Sequence, residues 1–173
     1  MSLKKSSAHF VPFPYLKALR PRQWTKNLIV FAAPLFAFSI NWQSFSGSLL
    51  AFILFCCASS SFYLINDIAD VEADRRHPVK CHRPIASGAV SVPGAIAMAV
   101  LLLGTALSVS WWRSPNLGLT ILAYALLQIA YNLRLKRTVI LDIIAIATGF
   151  VLRAYGGAAA TKIVLSPWFL LCT

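Results

Sequence analysis

The 173-residue chain reads as an all-α protein, a polytopic bundle with about five complete transmembrane spans and the start of a sixth. Three observations predict this. Apolar residues make up 58% of the sequence, charged residues 12%, and mean hydropathy is +0.71, far from the composition of a soluble domain. The apolar residues gather into stretches that approach the roughly 20 needed to cross a bilayer as a helix. Finally, 13 of the 16 Lys and Arg residues fall on alternate connections, the asymmetry that keeps such loops cytoplasmic. A large soluble helical core is excluded, because almost no polar helix faces remain to cover it.

Residues 1–19 predict an arm or interfacial segment in which Pro12 and Pro14 limit helix. Arg20, Arg22, Trp24 and Lys26 then lead into a first span from Leu28 to about Phe45, with Asn41 and Gln43 near its far end. Trp24 is an ordinary headgroup anchor, and the neighbouring cations suit lipid phosphates as readily as a substrate. The second span runs from Ser48 to Ile68, where Cys56, Ala58, Ser59, Ser60 and Ser61 permit close helix packing. Pro93–Trp112, Leu117–Asn132 and Thr138–Ala160 supply the third, fourth and fifth spans. Gly149, Gly156 and Gly157 in the fifth suggest tight packing or a local break. Ser166-Pro167 reads as the entrance of a sixth, so the expectation is one domain over 1–173 that is C-terminally incomplete.

The net charge of +11 does not point to nucleic acid, since the topology accounts for it. It predicts a multi-pass membrane protein with its N-terminus and the loops after spans two and four in the cytoplasm. Cys56 and Cys57 lie within a span as small packers. Cys81, His77 and His82 lack a further soft-ligand pair for zinc. No Walker loop, dinucleotide fingerprint or serine elbow occurs.

Four of the five acidic residues lie within Asn66-Asp67-Ile68-Ala69-Asp70-Val71-Glu72-Ala73-Asp74. On one helix, Asp67, Asp70 and Asp74 would share a face at i, i+3 and i+7. Three anions there repel unless a divalent cation or cationic partners sit between them. Hard oxygen ligands favour magnesium, while Arg75, Arg76 and Arg83 leave a plain salt-bridge cluster as the alternative. A second polar group, Tyr131 to Arg137 followed by Asp142, falls on the same membrane side. Asp142 could hold substrate or simply pair with Lys136 or Arg137. Arg153, three turns further on, must face the bundle, snorkel or find a partner. An acidic and a basic patch on one membrane face suit a magnesium-bound diphosphate beside a lipid acceptor.

Asn66-Asp67-x-x-Asp70-x-x-x-Asp74 resembles the NDxxDxxxD signature of the UbiA-like intramembrane prenyltransferase superfamily, and Arg83-Pro84-Ile85-Ala86-Ser87-Gly88 resembles its downstream RP-[LI]-x-SG segment. The likeness covers residues 15–173. Within the superfamily, 19–36 (LRPRQWTKNLIVFAAPLF) and 131–160 (YNLRLKRTVILDIIAIATGFVLRAYGGAAA) look like the branch that transfers phosphoribose to polyprenyl phosphates. The resemblance implies a magnesium-dependent transferase that moves 5-phosphoribose from phosphoribosyl diphosphate to a polyprenyl phosphate and releases diphosphate. It implies Asp67, Asp70 and Asp74 as Mg2+ ligands and Asn66 as their support. Lys26, Lys136, Arg83, Arg22 and Arg134 would engage phosphates, with Tyr131 and Asp142 shaping the substrate pocket. Two alternatives stay open: transfer of an isoprenyl chain from its diphosphate to an aromatic or quinone-like acceptor, and an inactive membrane fragment. Assembly as a homo-oligomer is possible.

Overall fold

The computed structural model describes residues 12–135 and 138–164. The chain begins with a short helix, α1 (Pro12–Ala18). Proline is tolerated in a helix's first turn, where its missing N–H costs nothing, so Pro12 and Pro14 start this helix rather than prevent it. Arg20 then adopts a left-handed backbone (φ 55°) and Pro21 opens a 3₁₀ helix, Pro21–Phe31.

Eleven residues is long for that winding, whose three residues per turn bring positions i and i+3 into line. Trp24, Asn27 and Val30 form the inward row. The Trp24 indole donates to Ser60 Oγ at 3.0 Å, and Asn27 and Val30 are fully buried. Arg22, Thr25 and Leu28 form the exposed row. Gln23 and Lys26 continue the row that Arg20 begins, along the wall of a cavity.

The first span expected over Leu28–Phe45 is not one helix. The 3₁₀ segment passes into α2 (Ala32–Phe36), a turn follows, and α3 (Trp42–Ala69) begins. In the turn Phe38 is left-handed (φ 49°) and the Ser39 amide returns to the Pro34 carbonyl at 3.0 Å. Asn41 then caps α3 by accepting the Ser44 amide at 2.8 Å. A polar cap inside an apolar run restarts the helix rather than extending it.

Among the described residues four helices are long and apolar enough to cross a membrane: α3, α5 (Val92–Arg113), α6 (Pro115–Leu133) and α7 (Val139–Thr161). They match the other four expected spans. Ser91 and Ser114 cap α5 and α6, each with a proline following inside the first turn. The short α4 (Val71–Arg76) follows α3. The sixth span expected from Ser166 lies outside the described residues.

α3 is the central element and packs on α5, α6, α7 and the 3₁₀ helix. Its small residues make this possible: Ser61 Oγ donates to the Ala99 carbonyl of α5 at 2.9 Å, and Ser60 Oγ to the Leu19 carbonyl at 2.9 Å. The core joins Val30, Leu54, Phe55, Ile121 and Tyr124, with Phe55 and Tyr124 edge to face at 5.4 Å between centroids. Gly157 lets α7 meet the 3₁₀ helix backbone to backbone, since a Cβ there would overlap the Val30 carbonyl. Gly157→Ala should therefore cost about 1–3 kcal/mol or more and lower the thermal midpoint. Gly104→Ala, whose Cβ meets nothing within 4 Å, should leave it unchanged. Equal midpoints would show that this approach is not needed.

Candidate active site

α3 stops at Ala69, Asp70 takes a non-helical turn (φ −94°, ψ 4°), and α4 resumes at Val71. The three aspartates therefore do not ride on one uninterrupted helix. The break is slight, because Asp70 N still bonds Asn66 O at 3.0 Å and Asp74 N bonds Asp70 O at 2.8 Å. Asp67 and Asp74 stay on one side and are 3% and 2% exposed.

One guanidinium serves both. Arg83 Nη1 donates to Asp67 Oδ1 at 3.2 Å and to Asp74 Oδ2 at 2.6 Å, and Arg20 Nη2 reaches Asp67 Oδ1 at 2.6 Å. Buried carboxylates need such partners, since a lone buried charge is strongly unfavourable. Asp70 is only half-buried, and Asn66 Nδ2 donates to its Oδ2 at 3.2 Å. Glu72 points away and pairs with Arg75 at 2.8 Å on the surface.

The segment after Arg83 fixes that residue. Ser87 N bonds Arg83 O at 2.9 Å, Val90 N bonds Pro84 O at 2.9 Å, and Gly88 turns the chain at φ 80°. Pro84, Ile85 and Ala86 are buried beneath this turn. The RPIASG sequence thus acts as a support that aims one arginine at two acids.

Two adjoining cavities open beside the cluster. One of about 300 Å³ is lined by Asn66, Asp70, Lys80 and Arg83 together with Arg20, Tyr63, Gln128 and Tyr131. The other, about 370 Å³, shares the last four and adds Gln23, Lys26, Arg153 and the apolar Leu127, Ile146 and Phe150. Arg20 stands at their junction with its guanidinium over the Tyr63 ring, 5.1 Å from the centroid.

The structure thus gathers Asn66, Asp70, Arg83 and Tyr131 around one cavity and places Lys26 on the other. Asp67 and Asp74 lie behind Arg83, engaged by arginines. Among the described residues no group of three His, Cys, Asp or Glu side chains is set to hold a metal. Arg22 and Arg134 are exposed and line neither cavity. Asp142 also lines neither; it faces Tyr131 from the first turn of α7, and its Oδ1 is buried with no hydrogen-bond partner among the described residues. Lys136 lies outside the described residues.

Sequence reasoning missed four contributors. Arg20 was one cation among several, Lys80 one of a basic loop, and Tyr63 a neighbour of the acidic cluster in the last turns of its span with no role assigned to it. Gln128 was the detectable one, since an amide inside a span marks a polar interior.

The fold and this geometry define a polytopic α-helical membrane protein with an acidic helix end, held by arginines, at the mouth of paired cavities. The chain belongs to the UbiA prenyltransferase family, whose profile matches residues 27–173. It is 47% identical over 161 residues to a decaprenyl-phosphate phosphoribosyltransferase of Mycolicibacterium smegmatis, covering 90% of this chain and 51% of that protein. A protein of the same name from Corynebacterium glutamicum is 42% identical over 161 residues, covering 90% and 48%. The chain therefore spans about half the length of these relatives. A UbiA homolog from Archaeoglobus fulgidus, solved with DMAPP and Mg2+, has a similar fold: TM-score 0.75 at 24% identity, over 91% of this chain and 58% of that one.

Proposed function

We propose that this chain forms the donor-binding half of a magnesium-dependent transferase that moves 5-phosphoribose from phosphoribosyl diphosphate to a polyprenyl phosphate. The observation that carries the reading is the Asp70 cavity, faced by Arg20, Lys80 and Arg83 and continuous in its lining with a second, partly apolar cavity. The names of the relatives supply the substrate classes.

Magnesium is usually held by one or two carboxylates plus phosphate and water rather than by an all-protein cage. Asp70, with Asn66 beside it, fits that mode. Asp67 and Asp74 would join once Arg83 and Arg20 turn from carboxylate to phosphate oxygens, an exchange between two partners that suit the guanidinium fork. The bound metal would offset charge developing on diphosphate as it leaves.

An acceptor phosphate oxygen, already anionic, forms the new bond to ribose C1 while the C1–diphosphate bond breaks and its electron pair departs with diphosphate. No general base is required. Arg83, Lys80 and Arg20 hold the leaving group, Lys26 and Lys136 clamp the remaining phosphates, and Tyr131 with Asp142 shapes the ribose side. Arg22 and Arg134, outside both cavities, meet phosphates at the headgroup level. The apolar wall excludes the water that would otherwise hydrolyse the donor.

The 3₁₀ helix and α2 supply the first crossing in this reading. At about 2.0 and 1.5 Å per residue they reach roughly 30 Å, the thickness of the hydrocarbon core. That gives five crossings before Ser166, with the N-terminus and both polar patches cytoplasmic in a bacterial inner membrane.

Membranes holding this chain, or the chain extended to its relatives' length, are incubated with labelled phosphoribosyl diphosphate and decaprenyl phosphate. Label should enter the lipid phase with magnesium and stay out when EDTA removes it. Failure by both, with label entering an aromatic acceptor from an isoprenyl diphosphate instead, would replace this reading with prenyl transfer.

A further inference from the structure

Arg153 stands 11 residues beyond Asp142 on α7, about 16 Å along the helix, and is 7% exposed. A guanidinium at that depth is costly unless its charge is answered. No carboxylate answers it: every ion pair among the described residues uses Arg20, Arg75 or Arg83. Its partners are neutral. Nε donates to Asn27 Oδ1 at 2.7 Å and Nη2 to the Tyr124 hydroxyl at 2.9 Å. The charge lies 4.8 and 5.6 Å from the ring centroids of Tyr124 and Phe150.

These partners are themselves fixed. The Asn27 amide donates to Cys56 Sγ and Ser59 Oγ, and the Tyr124 hydroxyl also accepts from Gln128 at 2.6 Å. They set the plane of the guanidinium and leave Nη1 with no hydrogen bond among the described residues. Nη1 lies beside Gly149, where a Cβ would stand 3.1 Å away. Arg153, Gly149 and Lys26 all line the cavity of about 370 Å³. A purely structural pin accounts for Nε and Nη2. It accounts neither for the uncompensated charge nor for the space kept before Nη1.

We propose that this inner cavity is a phosphate-monoester subsite in which Arg153 and Lys26 grip a phosphate other than the diphosphate handled at Asp70. The inference rests on the transfer reading above, in which both substrates carry such a group: the polyprenyl acceptor at its head, the donor at its ribose 5-position. Leu127, Ile146 and Phe150 in the wall suit a lipid chain beside the phosphate.

Binding rather than turnover tests it. Affinities for decaprenyl phosphate, and for phosphoribosyl diphosphate with magnesium, are measured on the detergent-purified chain and on Arg153→Gln, Arg153→Lys and Lys26→Gln. Arg153→Gln and Lys26→Gln should weaken the same ligand by about 10- to 100-fold, the value of a charged hydrogen bond. Arg153→Lys should recover part of the loss, and the other ligand should change by less than about threefold.

Loss in the lipid arm assigns the subsite to the acceptor, and loss in the donor arm assigns it to the 5-phosphate. Lys26 is exposed, so its variant carries the test if Arg153→Gln fails to fold. Unchanged affinities in both arms would overturn the subsite and leave the transfer reading standing. Equal loss of both ligands with a lowered thermal midpoint would reduce Arg153 to a structural pin. A wild-type chain and a version extended to its relatives' length that both bind neither ligand would overturn both proposals.

Discussion

Asp70→Asn should lower magnesium-dependent transfer by about 100-fold or more, on the scale of losing one preorganised electrostatic contact to a developing charge. The substitution keeps the shape of the side chain and the Asn66 hydrogen bond can persist, so the thermal midpoint should move little. Asp70 is the acid for which this separation is expected. It is half-buried, lines the cavity and has no arginine partner among the described ion pairs. Asp74→Asn would be ambiguous, because it also disturbs the Arg83 pair. Full activity in Asp70→Asn, in membranes where the parent protein turns over, would remove Asp70 from the site.

The second large effect concerns stability. Arg83→Met strips Asp74 of its ion-pair partner and leaves Asp67 with Arg20 alone. Removing one member of a buried pair costs about 3–5 kcal/mol, because the remaining charge stays desolvated. The lower figure applies, since the Arg83 side chain is 27% exposed. That corresponds to a fall of roughly 10 °C in thermal midpoint at about 3 °C per kcal/mol. Adding Asp74→Asn should restore most of it, because the stranded charge is then gone. A double variant no more stable than Arg83→Met would mean that the arginine acts through packing of the RPIASG turn.

The four apolar spans from residue 48 onward were legible because their hydropathy is continuous and polar turns bound them. The first was not. Leu28–Phe45 carries enough apolar residues, but Asn41 caps a new helix within it, and nothing local announces the left-handed Phe38. The acidic motif and Arg83 were legible as chemistry, while their division of labour was not. Spacing put three aspartates on one face, whereas a structure was needed to show two of them sequestered and one facing a cavity. The Arg153 network was only half visible. An arginine in an apolar span demanded a partner, but Asn27 lies 126 positions away and Tyr124 reads as an ordinary core aromatic.

The 3₁₀ winding of Pro21–Phe31 turns this stretch into a three-letter register. Every third residue has the same job. Trp24, Asn27 and Val30 grip the bundle, while Arg20, Gln23 and Lys26 border the cavity. In α-helical form the same row would veer by about 60° at each step, so Lys26 would be carried roughly 120° from Arg20. Inserting one residue after Gln23 would act like a frameshift. It would rotate the residues beyond it into their neighbours' places, turning Lys26 onto the inward row and bringing Thr25 into its place beside the cavity.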